Sequence, residues 1–383
     1  MIPASHLSSI KPSYIREILD LTANQQIVSL AGGLPCPDAF PSLLINELMP
    51  KITMEATAFQ YSQTAGLGCL IDEIKSRYKV PPTHEVLITH GSQQGIDLCA
   101  RLFIETGDKI VVEAPSYLGA LQVFAIAKAN IKSVPQQNDG PCIGALKQRF
   151  SQDNIKFFYA VPDFHNPTGC CWSLNKRRQV AQLCQQYNVL LIEDAPYREL
   201  RFSGKALPLV SSFCPEHAIT LRSFSKILIP GVRIAALITP KRYYSLLIKL
   251  KQAMDLHSNT PMQQLVFQLL QHDDLAQHQH KVREIYKERY QTLATALIPL
   301  QDKGCEFKTV EGGMFIWLTI PPCDTMQLAK AAIKQGVAVV PSSEFYLGDS
   351  TQEPSALRLN FSYNNPATLK EAAITLCSVI ESY

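Results

Sequence analysis

Between residues 86 and 238, short β-rich runs alternate with helical stretches, and no other feature of the chain restricts its fold so strongly. The runs fall at residues 86–89, 109–113, 131–134, 157–161, 189–194, 219–222 and 234–238. Several are apolar almost throughout, the pattern of strands covered by helices on both faces. Helical segments such as residues 176–187 separate them, so the spacing predicts a largely parallel α/β sheet. A long helical stretch follows Arg242, breaks near Asn259-Thr260-Pro261 and resumes to about Leu297. From about Gly304 the character changes. Residues 306–310, 314–319, 337–340 and 357–361 read as strands, with helices over 325–335 and at the C-terminus. That pattern is a second, smaller α+β unit. A prior of roughly 150 residues per domain gives about two domains. We expect an N-terminal arm at residues 1–41, associated with the small domain and holding one short helix over 13–21. A large domain follows at 42–265 and a small one at 266–383.

Composition limits the partners. The 383 residues are 46% apolar and 18% charged, enough for a large core and too apolar for disorder. A formal charge of +3, with no basic run longer than Lys176-Arg177-Arg178, argues against nucleic acid and anionic membrane. No secretory-type segment opens the chain, and no apolar run approaches the ~18–20 residues of a membrane span. Eleven cysteines, an odd number with no C-x-x-C pair, fit a reducing compartment, and a cytoplasmic enzyme is expected. No metal is expected, since His278 and His280 lie two apart and would not share a helix face. Gly66-Leu67-Gly68 lacks the third glycine of a dinucleotide fingerprint, and neither a P-loop nor H-E-x-x-H nor G-x-S-x-G is present.

Three stretches carry chemistry. Ser223-Phe224-Ser225-Lys226 follows a strand-like run, with Arg233 seven residues beyond the lysine. A lone lysine is nearly always a solvated surface charge. This one has hydroxyl and apolar neighbours without acidic partners, and two hydroxyls with an arginine suit a phosphate beside the amine. A lysine that forms imines must shed its proton near neutral pH, which desolvation and a nearby cation promote. Gly91-Ser92-Gln93-Gln94 joins a strand to a helix expected over 95–104, so N–H groups, a hydroxyl and a helix's positive end meet there. That is an anion site or, equally, an ordinary N-cap. Asp194 closes the run 189–193, at the carboxyl end of a strand where ligands of open α/β sheets gather. Burying it unpaired is costly, and a protonated pyridine nitrogen would pair with it. Tyr197 and Asn166 could both hydrogen-bond a ring phenolate, although Asn166-Pro167-Thr168-Gly169 is also plain turn chemistry. Tyr117 could stack on an aromatic cofactor or serve only as a core residue.

In their order these stretches resemble the fold-type-I aminotransferases, most of all the subgroup of 2-aminoadipate and kynurenine aminotransferases. The resemblance covers nearly the whole chain. Its segments are Ala31-Gly32-Gly33-Leu34-Pro35, Gln60-Tyr61-Ser62, Gly91-Ser92-Gln93-Gln94, Glu113-Ala114-Pro115-Ser116-Tyr117 and Asn166-Pro167-Thr168-Gly169. Further along come Asp194-Ala195-Pro196-Tyr197, Ser223-Phe224-Ser225-Lys226 with Arg233, Glu311-Gly312-Gly313-Met314-Phe315 and Leu357-Arg358-Leu359. The resemblance implies an aspartate-aminotransferase-like fold: a large domain with a mostly parallel sheet covered by helices, and a smaller α+β domain. It implies pyridoxal 5'-phosphate as cofactor. The reaction it implies is transfer of an L-amino acid's amino group to a 2-oxo acid, in a ping-pong cycle through pyridoxamine phosphate. Lys226 would be the Schiff-base lysine and the acid/base. Asp194 would pair with the pyridinium, Tyr197 and Asn166 would hold the phenolate oxygen, and Tyr117 would stack on the ring. Gly91, Ser92 and Gln93, with Ser223, Ser225 and Arg233, would bind the phosphate. Arg358 would grip the substrate α-carboxylate through a bidentate fork, with Gly33, Asn166 and Tyr61 beside the substrate. In this family a tyrosine at the position of Tyr61 reaches the neighbouring subunit's phosphate, which implies a homodimer with shared active sites.

The chain departs from the family pattern at Ala195, where a second acid is common, at His165, where glutamine is frequent, and at Arg222, where glycine is frequent. All three are expected to lie near enough to alter substrate preference. Arg16, on the expected N-terminal helix, would meet a distal carboxylate and favour acidic donors such as 2-aminoadipate or glutamate; pairing with Asp20 at i+4 is the plainer account. Two other readings stay open. The same scaffold hosts lyases and decarboxylases, because fold does not fix reaction. Aminotransferase-like domains of this subgroup also occur as non-catalytic regulators behind a winged-helix domain, for which a chain starting at the cover segment is expected to leave no room.

Overall fold

The structure, a computed structural model, describes Tyr14, Ile18 and residues 27–347 and 353–383. Its strands, in chain order, are β1 (Val28–Ser29), β2 (His84–Thr89), β3 (Lys109–Ala114), β4 (Asn130–Gln137), β5 (Gly140–Pro141), β6 (Ile155–Ala160), β7 (Leu190–Asp194), β8 (Ala218–Ser223), β9 (Ala235–Pro240), β10 (Phe315–Thr319), β11 (Val337–Ala338), β12 (Val340–Pro341) and β13 (Ala356–Asn360). All seven runs expected between residues 86 and 238 form strands of one sheet, ordered β2-β9-β8-β7-β6-β3-β4-β5. Neighbours from β8 through β7, β6 and β3 to β4 are parallel, while β9 is antiparallel to both β8 and β2. The strands β7, β8 and β9 are buried at every residue, which is why they read as unbroken apolar runs.

Helices cover the sheet. Gly91–Phe103 starts four residues before the expected position, directly at the end of β2. Leu174–Tyr187 is capped by Ser173, whose hydroxyl accepts from the Lys176 N–H at 3.2 Å, and ends at Asn188 in the left-handed conformation. After Arg242 the expected helical stretch is Lys241–Asp255, Thr260–Gln271 and Leu275–Leu297. The expected break carries an Asn259 cap accepting from the Met262 N–H at 3.0 Å; a second break at residues 272–274 left no mark in the pattern.

The C-terminal sheet has the order β10-β13-β12, all antiparallel, and is packed by the helices Thr325–Lys334 and Pro366–Ser382. Two expectations need correction. Residues 306–310 form no strand beyond a single bridge from Glu306 to Thr319, because Glu306, Lys308 and Thr309 lie exposed and anchor no ladder. The expected strand 337–340 splits: β11 pairs in parallel with β1 of the N-terminal arm, while β12 joins β13. Of the expected helix 13–21 only Tyr14 and Ile18 are described; both are helical, and Ile18 packs with Ala31, Val340 and Phe345. Gly169, Gly312 and Gly313 bring the two sheets together. A Cβ on Gly169 would meet the Phe315 carbonyl at 2.7 Å, and one on Gly312 the Phe164 ring at 2.4 Å. Among the described residues no helix is long and apolar enough to cross a membrane.

Candidate active site

The strands β2, β3, β4, β6, β7 and β8 run in one direction, so their carboxyl ends form a common edge. A cavity of about 130 Å³ lies there. Asp194, Tyr197, Asn166, Ser92, Gln93, Tyr117, Ser223, Ser225, Lys226 and Arg233 all line it, with Ile96, Val161 and Pro196 supplying apolar wall. Residues separated by more than 140 positions in the chain thus converge as expected.

Asp194 ends β7 and is 3% exposed. Its Oδ2 accepts from the Tyr159 hydroxyl at 2.9 Å, while Oδ1 is buried with no hydrogen-bond partner among the described residues. Burial pushes its carboxyl up to about 7, against the pull of the Tyr159 hydrogen bond. Lys226 lies in the turn that follows β8, and its Nζ donates to the Gly33 carbonyl at 2.8 Å. Burial, followed by the Arg233 and Arg358 guanidiniums, brings its amine down to about 8. An amine in that range is unprotonated in roughly a tenth of molecules at pH 7, hundreds-fold more than an ordinary lysine, and the unprotonated form is the one that attacks a carbonyl.

Ser92 sits in the first turn of the helix Gly91–Phe103, its hydroxyl buried and unpartnered among the described residues. Arg233 adopts a left-handed conformation (φ 52°) and reaches back across the turn. Its guanidinium donates to Ser225 Oγ at 3.4 Å and to the His90 carbonyl at 3.3 Å. Gly91 makes this approach possible, because a Cβ there would lie 2.4 Å from Arg233 Nη2. Gln93 donates to the Gly119 carbonyl at 2.8 Å and accepts from the Tyr117 hydroxyl at 3.3 Å, which fixes the Tyr117 ring at the cavity wall.

Arg358, on β13, is 1% exposed. It donates to Asn166 Oδ1 at 2.8 Å and to the Ala31 carbonyl, and its Nε is buried without a partner among the described residues. The rings of Phe315 and Phe345 lie 4.5 and 5.1 Å from its guanidinium carbon. Burial lowers it to about 10, so it stays cationic at neutral pH. Gly33 adjoins Phe315, whose ring tip would lie 3.2 Å from an added Cβ. Burial holds the Tyr197 phenol well above its ordinary value.

A flat cofactor with a cationic ring nitrogen and a phosphate fits these groups. The unpartnered Asp194 Oδ1 needs a buried donor, and the unpartnered Ser92 hydroxyl, a helix N-terminus and Arg233 supply an anion cradle. Five expected residues are not among the described residues lining the cavity: Gly33 and Arg358 meet it through hydrogen bonds with Lys226 and Asn166, and three others stand apart. Tyr61 is 79% exposed, in edge contact with His257 at 5.7 Å, and does not line the cavity. Gly91 shapes the Arg233 approach without lining it, and Arg16 lies outside the described residues. The departures Ala195, His165 and Arg222 do not line it either. Arg222 is turned to Glu199 and to the Tyr78 ring, 4.1 Å away, and His165 is buried against Thr168 at 3.1 Å, with burial lowering its imidazole to about 3. Sequence reasoning missed Tyr159, whose only signal was a hydroxyl in the apolar run of β6. It also missed the two rings that enclose Arg358.

The model of the family described as aminotransferase class I and II matches residues 19–376. The aromatic-amino-acid aminotransferase 1 of Thermococcus litoralis is 34% identical, over 97% of this chain and 92% of that protein. The 2-aminoadipate transaminase of Thermus thermophilus is 35% identical, over 92% and 89%. The crystal structure of the Pyrococcus horikoshii kynurenine aminotransferase, in complex with PMP, superposes with a TM-score of 0.94 at 32% identity, covering 99% of this chain and 96% of that one. With the cavity, its lysine and its unpartnered carboxylate oxygen in view, the chain belongs to the class I and II aminotransferases and is a pyridoxal-phosphate-dependent aminotransferase.

Proposed function

We propose that the enzyme passes the amino group of an acidic L-amino acid, of the 2-aminoadipate or glutamate type, to a 2-oxo acid such as 2-oxoglutarate. The observation that carries the residue roles is the pairing, in one cavity, of a lysine amine near 8 with a buried carboxylate oxygen that has no partner. Pyridoxal phosphate, when bound, supplies an electron sink for the charge left at the substrate Cα. Asp194 would hold the ring nitrogen, Tyr197 and Asn166 the ring oxygen, and Tyr117 the ring face. Ser92, Gln93, Ser223, Ser225 and Arg233 would hold the phosphate, in the space that Gly91 leaves open. Lys226 would anchor the cofactor through Nζ and, once displaced by the substrate amine, would take the proton from Cα. Arg358 would bind the α-carboxylate as a fork, with Asn166 and Gly33 beside it.

Tyr61 would reach the phosphate of a second copy, and the exposure of Leu43 (84%), Met54 (85%) and Phe59 (63%) along the same stretch supports a homodimer with shared sites. The pairing of β1 with β11 supports the assignment of the arm, residues 1–41, to a small domain at 266–383, with the large domain at 42–265. Eleven free thiols support a cytoplasmic setting. Acidic substrates rest on Arg16 and on the relative named for 2-aminoadipate. The experiment is a survey of single amino acids mixed with the yellow holoenzyme, following loss of its visible absorbance, in the wild type and in Arg16→Ala. Conversion by acidic donors, with the preference for them lost in the variant, is expected. Conversion by no amino acid would sink the residue roles, and an unchanged preference would sink the role of Arg16.

A further inference from the structure

Tyr159 stands on β6 opposite Ile192 of the parallel strand β7, two residues before Asp194. Its side chain is 1% exposed and packs edge-on against Phe124, with ring centroids 5.6 Å apart. Among the described residues no other side chain donates a hydrogen bond to Asp194. A carboxylate has two equivalent oxygens and turns readily about its Cβ–Cγ bond, so by itself it presents neither oxygen reliably. A fixed donor on one oxygen removes that freedom and sets the direction of the other, as outer partners of metal ligands do. Tyr159 is suited to the task because burial, reinforced by the Asp194 charge, keeps its phenol protonated and therefore a donor throughout the working pH range.

We propose that Tyr159 is a positioning residue that pins Asp194 Oδ2 and so aims Oδ1 at the cofactor's ring nitrogen. This rests on the reading of Asp194 as the partner of that nitrogen. Tyr159 touches neither the cofactor nor the substrate in this arrangement; it acts through the carboxylate.

The test uses apoenzyme of the wild type, Tyr159→Phe and Asp194→Asn. Dissociation constants are measured for pyridoxal phosphate and, separately, for inorganic phosphate, which meets only the Ser92–Arg233 end of the cavity. The ring-nitrogen resonance of ¹⁵N-labelled cofactor is recorded in each loaded protein. Tyr159→Phe is expected to bind pyridoxal phosphate about tenfold more weakly, the scale of one lost hydrogen bond to a charged group. Phosphate affinity should be unchanged, and the nitrogen resonance should move toward its unprotonated position. Wild-type affinity with an unmoved resonance would overturn the proposal. So would an equal loss of phosphate binding or a failure to fold, since either makes Tyr159 a packing residue. If Asp194→Asn itself matches the wild type in both readouts, the reading of Asp194 has failed instead.

Discussion

Glu193 and Asp194 are consecutive residues of β7, both buried and both acidic, yet the strand's pleat turns them to opposite faces and opposite fates. On one face both Glu193 oxygens are satisfied, Oε1 by the Val210 N–H at 2.9 Å and Oε2 by the Ser211 N–H at 2.8 Å. On the other, Asp194 has one oxygen held by Tyr159 and one with no partner among the described residues. Glu193 ties a loop to the sheet. Asp194 is left with an unpartnered oxygen at the cavity wall, as the proposed partner of a cofactor's ring nitrogen requires. A buried acid whose partners are all internal is structural, and one with a vacant acceptor at a cavity wall is waiting for a ligand.

Substituting each carboxylate by its amide tests that contrast. Asp194→Asn places an amide nitrogen where a cationic ring nitrogen should be held, and kcat/KM measured by coupled assay should fall on the order of 10³-fold with the fold intact. Glu193→Gln sets its amide NH₂ against a backbone N–H donor. It should cost about 2 kcal/mol of stability in urea unfolding while leaving cofactor affinity within about twofold. If Glu193→Gln weakens cofactor binding as much as Asp194→Asn, the division of labour along β7 is wrong.

The same contrast also predicts a pH dependence of the apoenzyme. Asp194 has its folded value raised to about 7 from an ordinary value near 4. The folded protein therefore binds more protons than the unfolded chain between those values, and stability falls as pH rises from about 4 to 7. In the difference between wild-type and Asp194→Asn unfolding curves, the wild type should lose stability across that interval, by up to about 4 kcal/mol for a shift of about three units, and level off above it. A flat difference would mean that the empty oxygen is hydrated and carries no strain.

Asp194 was legible because a carboxylate ending an apolar run is conspicuous, and so was the sheet, whose strands are buried on both faces. What distinguishes Asp194 from Glu193 was not legible, because it depends on a loop at Val210–Ser211 folding back under one face of β7. Tyr159 was hidden for the same reason: its partner is set by the register of β6 against β7, which no local pattern encodes. Arg358 was found only through family resemblance. Its burial requires β13 to pair between β10 and β12, with Phe315 and Phe345 arriving from separate segments. The expected strand at 306–310 failed because alternation in sequence forms no ladder where the side chains stay exposed.

The reversed direction of β9 bears on how this protein can vary over evolution. Because β9 runs antiparallel to β8, the chain turns straight back, and Lys226 and Arg233 share one short connection between Ser223 and Ala235. A parallel neighbour would have needed a crossover of a dozen or more residues, commonly a helix. The connection instead works as a ruler of fixed length, spacing the proposed reactive amine from the guanidinium proposed to bind the phosphate. Insertions and deletions that surface loops elsewhere absorb would here shift both groups at once, so this segment should diverge by substitution and hardly ever by length.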